Sequence, residues 1–463
     1  MFTAIDVYEQ RSSPGGLWNH TLAATSDGLF KVPSTNPHVP LELPIKASHG
    51  RREFVSPVYD TLEVNIPHPM MAFSDTPFPE DIPLFPGHKE VKAYLEEYSH
   101  DILHLVQFGT QVTDVRLHEE RQTDGVKSAI WHVDVIRLDS QELATEQYNA
   151  VVIANGHYAV PHIPDITGLK DWALQFPGSI AHSKYYRNLK GYAGKKVIVV
   201  GSSASGLDIA SHLTETCQLP VYQSQKSVSE LAKGFTANPN IRNVVEIAEV
   251  IPVERKVKFV DDTEIDGIDA IIFCTGYLYS LPFLESLQKN PILEGSMVHG
   301  TYEHLFLASH PSLALPALPQ KIIPFPVAEA QAAVIARVYS GRLALPSRAK
   351  MEEWEGQQMK RRGAPDQFHV MEPQEDGKYI NRMIDWAEKA DTRKGLERHE
   401  LGKMPKRWGA KEFWIRERIP TMRRAFMGLG EKRHHVRTFK DLGFGYEMHK
   451  ENSNGSIRNM DGT

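Results

Sequence analysis

The stretch KKVIVVGSSASGLDIASHL, residues 195–213, decides the fold of this chain. Its first part is an apolar run typical of a buried strand, and its last part has the apolar spacing of an amphipathic helix. The small-residue turn GSSASG, residues 201–206, stands between them. This order predicts the opening βα unit of a dinucleotide-binding domain, in which the N-terminus of the helix faces a phosphate anion.

The positions of this turn differ in what they allow. Gly201 permits the tight bend, the small Ser203 lets the backbone approach a pyrophosphate, and Gly206 lets helix and strand pack closely. We predict a cofactor-binding turn made of Gly201, Ser202, Ser203, Ser205 and Gly206. The alternative is a structural turn in which the serines only cap the helix, because serine is a favoured N-cap residue.

The next strand, within PVYQSQKS at residues 220–227, indicates which nicotinamide cofactor binds. A site selective for NAD places a carboxylate about 20 residues after the turn. This chain has Ser224 and Lys226 there, so no acid repels a 2′-phosphate and the lysine can pair with it. We predict NADPH, with both residues at its ribose. The alternative for Lys226 is an ordinary solvated lysine.

Composition restricts the classes of function. The chain has 463 residues, of which 41% are hydrophobic and 24% charged, which is typical of a globular protein of two or three domains. The formal net charge of −6 gives no argument for nucleic acid as a partner. With only Cys217 and Cys274, far apart, the chain has no redox Cys-x-x-Cys pair. Without a long apolar run or a signal peptide, we expect a cytoplasmic protein with no membrane span.

A second dinucleotide-type site is half present at the start of the chain. The alternating segment AIDVYE predicts a short strand that ends in Glu9, and the turn-forming RSSPGG and Trp18 follow. An acid in this place binds a ribose, and Gly15 and Gly16 let the backbone pass close to a bulky cofactor. Only eight residues precede Glu9, which is too few for a first strand, a phosphate turn and a helix. Trp18 could equally be an ordinary core residue.

Further elements are predicted from periodicity. Helical spacing covers 89–104 and 328–341, a hairpin is expected from VTDVRLHE and AIWHVDVIRL, and buried strands from YNAVVIANG and DAIIFCTGY. The last of these ends in a small-residue turn that contains Thr275 and Gly276. After Pro346 the segments MEEWEGQQMKRR and KYINRMIDWAEKA predict helices of an appended region, and the polar end predicts a frayed tail. His434 and His435 have no further ligand at metal spacing, so no metal site is expected.

Ordered segments along most of residues 7–347 resemble the flavin-containing monooxygenases. FPGSIAHSKYY fits the family pattern F-x-G-x-x-x-H-x-x-x-[YF] through Phe176, Gly178, His182 and Tyr186. The other segments that carry the resemblance are EQRSSPGGLWNHT, YDTLEVNIPHPMMAFSDTPFP with Asn65, GSSASG, IIFCTGYLYSLPFL and FPVAEAQAAVIARVYSGRLALPS.

This resemblance implies an α/β fold with two Rossmann-like domains. The FAD-binding domain would comprise residues 1–165 and 275–347 and would lack its first βα unit, and the inserted NADPH-binding domain would comprise residues 166–274. A C-terminal helical extension, residues 348–463, looks like that of fungal members. Glu9, Gly15, Gly16 and Trp18 would bind FAD, and Thr275 and Gly276 would contact a cofactor between the domains.

The resemblance also implies a reaction. Family members reduce FAD with NADPH, form a flavin hydroperoxide with O2, and transfer one oxygen atom to a soft nitrogen or sulfur nucleophile, as dimethylaniline and thiol-specific monooxygenases do. Asn65 would hydrogen-bond beside the flavin together with NADP⁺, since an amide offers a donor and an acceptor without titrating. The residues alone allow an Asx turn before Pro67 instead. His182 is expected to have a structural or linker role next to the NADPH domain.

Two rival functions remain open at the level of sequence. Related Baeyer–Villiger monooxygenases usually carry tryptophan at the last motif position, so Tyr186 favours heteroatom oxygenation over ketone oxidation. A non-catalytic NADP-binding remnant is the other rival, because the phosphate turn for FAD is missing. The sequence leaves open the small-molecule substrate and whether the chain forms a homo-oligomer.

Overall fold

A computed structural model describes residues 4–22, 30–46, 52–123, 126–227 and 238–446. Within these ranges the helices are α1 His68–Met71, α2 His88–Tyr98, α3 Leu169–Gln175, α4 Ala204–Leu213, α5 Pro324–Tyr339, α6 Arg348–Arg362, α7 Glu375–Ala387 and α8 Ala410–Gly428. The strands are β1 Val7–Glu9, β2 Ile45–Lys46, β3 Arg52–Glu53, β4 Val106–Phe108, β5 Thr110–Thr123, β6 Val126–Arg137, β7 Leu143–Tyr148, β8 Val151–Val152, β9 Val160–Pro161, β10 Ile180–His182, β11 Val197–Val200, β12 Val221–Ser224, β13 Ile241–Val244, β14 Ile247–Ile251, β15 Lys256–Phe259, β16 Glu264–Ile265, β17 Ala270–Phe273, β18 Tyr277–Leu278, β19 Thr301–Tyr302, β20 Phe306–Leu307 and β21 Leu313–Ala314.

A five-stranded parallel sheet in the order β10-β17-β11-β12-β13 carries the turn that opened the sequence analysis. Strand β11 ends at Val200 and helix α4 begins at Ala204, so the predicted strand, turn and helix are confirmed. Because all five strands are parallel, their carboxyl ends meet at one edge of the sheet. The turn after β11, the end of β12 and the turn after β17 therefore lie side by side.

The second α/β portion is built from shorter strand pairs. β1 runs parallel to β4, β8 runs parallel to β21, and β20 and β19 continue the latter sheet. The predicted hairpin is confirmed as β5 and β6, to which β7 adds. The buried strand predicted over residues 148–156 is shorter than expected. β7 ends at Tyr148 and β8 comprises only Val151 and Val152, and Val152 is 46% exposed, because β8 pairs with one neighbour among the described residues.

The C-terminal helices are part of the main core. Both helices predicted after Pro346 are confirmed, as α6 and α7. Side chains of α7 and α8 share one buried cluster with α5 and with the segment from Val64 to Tyr94, so this region is packed in rather than appended. The buried Asp376 of α7 accepts hydrogen bonds from Ile323 N at 3.2 Å and from Arg416 of α8 at 2.8 Å. The predicted frayed tail lies outside the described residues.

The molecule is thus an α/β protein with two Rossmann-like portions and a helical C-terminal region. Among the described residues, no helix has the length and apolar character that crossing a membrane requires.

Candidate functional site

The nucleotide turn has the geometry that its glycines predicted. Gly201 has φ +116°, and a Cβ added to it would lie 2.6 Å from the carbonyl oxygen of Cys274. A Cβ on Gly206 would lie 2.1 Å from the carbonyl oxygen of Gly201. Both positions therefore exclude a side chain, one by conformation and contact and the other by contact alone. The predicted tight bend and close packing of helix against strand are confirmed.

The serines of the turn leave the helix N-terminus open. Ser203 is the N-cap residue of α4, yet its side chain makes no capping hydrogen bond. The hydroxyl of Ser202 instead donates to the carbonyl of Ser227 at 3.0 Å. The first-turn N–H groups of an α-helix have no partner within the helix, so they are available to an anion at this end of α4.

Ser224 and Lys226 differ in their surroundings. Ser224 is buried, and its hydroxyl donates to the carbonyl oxygen of Val245 at 2.9 Å. Its hydroxyl proton is therefore used within the protein, and its oxygen is left as a hydrogen-bond acceptor only, so a contact with the ribose stays a prediction. Lys226, two residues further on, is exposed beside the turn.

One large cavity covers the predicted FAD site and reaches the predicted NADPH-binding turn at Ser205. Its volume is about 2120 Å³, roughly twice the upper end of about 1000 Å³ for small-molecule pockets. Its wall brings together predicted residues from distant parts of the sequence, namely Glu9, Gly15, Gly16, Trp18, Asn65 and Ser205. A space of this size suits two dinucleotides better than a single small ligand.

The FAD end of the cavity is formed by the beginning of the described chain. Glu9 ends β1, its carboxylate accepts the N–H of Arg11 at 2.8 Å, and burial raises its pKa. Gly15 and Gly16 have φ +97° and +49°, the left-handed region that favours glycine. Trp18 both lines the cavity and packs against the main core. These residues fit the ribose and the bulky ring system of FAD.

The phosphate end of this site is less complete. Strands β1 and β8 both line the cavity, and each pairs on one side only among the described residues. No glycine turn comparable to residues 201–206 lies next to β1 in the part of the chain that the structure describes. Unpaired backbone groups on these strands therefore border the space that a pyrophosphate would need.

Asn65 lies on the cavity wall with a free side chain. It is exposed and lines the cavity, and its carboxamide makes no hydrogen bond to any described residue, so the alternative Asx turn does not form. The backbone on both sides is held, because Val64 N donates to Pro86 O and His68 N donates to Leu84 O, each at 2.9 Å. Asn65 therefore stands on a fixed loop with both polar groups available.

His182 and the turn after β17 form the joint between the two portions. His182 is fully buried, accepts the N–H of Lys184 at Nδ1 and donates from Nε2 to the carbonyl of Gly276 at 3.0 Å. Burial lowers the pKa of His182 to about 3. The hydroxyl of Thr275 donates to the carbonyl of His162. Thr275 and Gly276 make contacts at this joint and neither lines the cavity, so their contact with a cofactor stays a prediction.

The remaining motif residues also lie away from the cavity. Phe176 ends α3 and packs under the guanidinium of Arg255, 4.3 Å from its ring centre, and Gly178 has φ +76°. Tyr186 is buried, with its hydroxyl 2.8 Å from Nδ1 of His212. The family pattern thus marks a structural joint and does not supply reacting groups.

A buried lysine in the cavity wall was not predicted. Nζ of Lys184 donates to Glu42 Oε1 and to the carbonyl of Ala159, each at 2.7 Å, and its side chain is only 3% exposed. Burial lowers its pKa, and the Glu42 carboxylate opposes that shift. Its place inside the motif FPGSIAHSKYY was the one available signal, but its partner Glu42 comes from an irregular segment without a motif.

Comparison with known proteins agrees on one family. The flavin-binding monooxygenase-like family model matches residues 46–232 and 238–401. Flavin-containing monooxygenase FMO GS-OX-like 9 of Arabidopsis thaliana is 34% identical over 355 residues, which span 74% of this chain and 72% of the relative. The thiol-specific monooxygenase of Saccharomyces cerevisiae is 33% identical over 297 residues, 61% of this chain and 65% of the relative. The solved structure of S-allyl-L-cysteine S-oxygenase from Allium sativum matches with a TM-score of 0.71 at 26% identity, over 94% of this chain and 90% of that one.

Proposed function

The chain belongs to the flavin-binding monooxygenase-like family, and we propose that it uses FAD, NADPH and O2 to oxygenate the sulfur of a small thiol or sulfide. One observation carries the proposal: a single cavity is lined by Glu9, Gly15 and Gly16 from the FAD end, by Ser205 from the NADPH end, and by Asn65. The preference for sulfur is supported by relatives named for thiol and S-allyl-cysteine oxygenation.

The reaction is balanced by the substrates alone, and no side chain of the protein has to change its oxidation state. NADPH, a proton, O2 and a sulfide give NADP⁺, water and a sulfoxide. One oxygen atom of O2 enters the sulfoxide and the other enters water. When bound, FAD accepts the hydride of NADPH and activates O2. Cys274 is buried, burial raises its pKa to about 12, and neither cysteine lines the cavity, so the protein's own thiols are not placed to act as redox groups.

The protein's contribution is therefore binding, orientation and exclusion of water. Glu9, Gly15, Gly16 and Trp18 would hold FAD, and the turn 201–206 with Lys226 would hold NADPH. Asn65 would donate and accept hydrogen bonds without changing protonation, so its action should not depend on pH. Apolar side chains in the wall, such as Phe283 and Phe325, keep bulk water from the reacting groups.

The test uses purified holoenzyme with bound flavin. NADPH oxidation and O2 uptake are followed with a sulfide, a thiol, a tertiary amine and a ketone, and products are identified by mass spectrometry with isotopically labelled O2. We expect labelled sulfoxide from the sulfide, and from the thiol a disulfide formed through a sulfenic acid whose labelled oxygen leaves as water, both formed faster than N-oxide from the amine. Esters from the ketone, or NADPH binding without any oxygenated product, would overturn the proposal.

A further inference from the structure

Glu63 lies two residues before Asn65 and forms ion pairs with two arginines from the C-terminal extension. Its side chain is 11% exposed. Oε2 accepts from Nη1 of Arg423 at 3.2 Å, and Oε1 accepts from Nε of Arg433 at 3.0 Å. A carboxylate buried to this degree is tolerable only when it is paired, and loss of its partner leaves an uncompensated charge. The pairing therefore ties this point of the chain firmly to the extension.

The loop that carries Glu63 and Asn65 is also connected to the C-terminal extension through the segment that packs behind it. Val64 is buried, and the backbone of the loop bonds to Leu84 and Pro86, as described above. Leu84 N in turn donates to the carbonyl of Val436 at 2.8 Å. The guanidinium of Arg423 lies 5.4 Å from the ring centre of Phe85. The loop is thus backed by a second segment, which is itself backed by helix α8 and the residues after it.

The other end of the loop is tied to the nucleotide helix. The hydroxyl of Tyr59 donates to the carboxylate of Asp208, which lies on α4. Burial raises the pKa of Asp208, and the positive charge of Arg423 opposes that rise. Arg423 therefore acts on both Glu63 and Asp208, so the segment from Tyr59 to Asn65 is anchored to the NADPH-side helix at one end and to the extension at the other.

We propose that Glu63 is a positioning residue for Asn65: its pairing with Arg423 and Arg433 fixes the loop, and thereby the fraction of NADPH consumption that yields oxygenated product. This inference rests on the proposed function. Among the described residues the carboxamide of Asn65 has no hydrogen-bond partner, so its backbone is what sets its position in the cavity. A loop that shifts by about 1 Å can cost up to about 100-fold in an oriented reaction.

The experiment compares Glu63→Gln with wild type as holoenzyme. Sulfoxide formed, hydrogen peroxide formed and NADPH consumed are measured together. We expect product per NADPH to fall by about tenfold, with hydrogen peroxide making up the difference, while NADPH affinity stays within about twofold. Glu375→Gln is the matched control, because Glu375 also pairs with two arginines, Arg361 and Arg362, but, unlike Glu63, does not line the cavity. It should couple like wild type.

A double variant separates positioning from general damage. If Glu63 acts through Asn65, Glu63→Gln should add nothing to the loss caused by Asn65→Ala, since the two changes share one pathway. Losses that multiply, or a wild-type ratio of sulfoxide to NADPH in Glu63→Gln, would overturn the inference.

Should Glu63→Gln fail to fold, variants of Arg433 provide the test. Arg433→Gln removes one partner only and should lower the sulfoxide formed per NADPH, whereas Arg433→Lys keeps the charge and should lower it less. An equal ratio in wild type and Arg433→Gln would also overturn the inference. A wild-type protein without sulfoxide production would instead contradict the proposed function itself.

Discussion

Replacement of Gly201 with alanine tests the nucleotide-binding turn directly. The new Cβ would lie 2.6 Å from the carbonyl oxygen of Cys274, whereas ordinary contact begins at 3.4 Å, so the two must separate by 3.4 − 2.6 = 0.8 Å. The obstacle is backbone next to β17 and not a flexible side chain, and the φ of +116° is unfavourable for alanine in any case. The turn and the neighbouring strand end therefore have to move apart.

The expected cost of Gly201→Ala follows from the steric overlap and from the backbone conformation. Overpacking by one methyl group costs about 1–3 kcal/mol, and a left-handed conformation adds about 1–2 kcal/mol for a residue with a side chain. If the turn relaxes by moving, the N–H groups of α4 leave the phosphate position. If the overpacking cost of about 1–3 kcal/mol is lost from the binding free energy, the Kd for NADPH rises roughly 5- to 150-fold.

The assay is a titration of purified holoenzyme with NADPH, together with denaturant unfolding. Gly191→Ala is the control for backbone strain, because Gly191 has φ +87° and nothing within 4 Å of the added Cβ. Gly356→Ala in α6 is the control for the substitution itself, since neither strain nor contact arises there. Both controls should leave the Kd unchanged. Wild-type NADPH affinity in Gly201→Ala would refute the reasoning and make the turn a simple connection between strand and helix.

Three further predictions address other parts of the site. Asn65→Ala should leave NADPH binding intact and lower sulfoxide formed per NADPH by about 100-fold, as for loss of an oriented hydrogen-bond donor; unchanged coupling would remove Asn65 from the mechanism. Lys226→Ala should raise the Kd for NADPH by about tenfold and leave that for NADH unchanged, because only NADPH carries the 2′-phosphate; equal effects would contradict this. For His182, burial lowers the pKa from 6.5 to about 3, so the unfolded state binds one more proton between those values and stability falls as pH drops from 6.5 towards 3. In His182→Gln the free energy of unfolding should therefore depend less on pH over that range. Urea titrations at several pH values measure this dependence, and the same dependence as in wild type would contradict the assignment.

Local patterns predicted the elements of the fold well. Residues 195–213 contain the strand, the turn and the helix within one continuous stretch, so their geometry depends on neighbours that the sequence displays together. The same holds for α5, α6 and α7, each of which lies within one continuous stretch of sequence with a helical pattern. The strand predicted over residues 148–156 was too long, because an apolar run does not reveal whether a neighbouring strand is present on both sides.

The contacts that complete the site were not predictable in this way. Glu63 pairs with Arg423 and Arg433, which are 360 and 370 positions away in the sequence. A charged residue in a proline-rich loop and two arginines in a basic helical region have nothing that marks them as partners. Ser224 shows that spacing along the chain does not reveal the surroundings of a side chain. Its distance from the turn fits a ribose contact, but its position at the buried end of β12 gives its hydroxyl to the carbonyl of Val245.

The division between motif and cavity bears on how substrate choice arises. Phe176, Gly178, His182 and Tyr186, which identify the family, build the joint between the two portions and do not line the cavity. The wall comes largely from irregular segments such as residues 30–46, where spacing rules predict little. The four residues that identify the family are therefore separate from the residues that line the cavity. A change at Tyr186 would reach the cavity through its neighbours, because its ring lies edge-on to that of Tyr59, which lines the cavity, and its hydroxyl lies 2.8 Å from Nδ1 of His212.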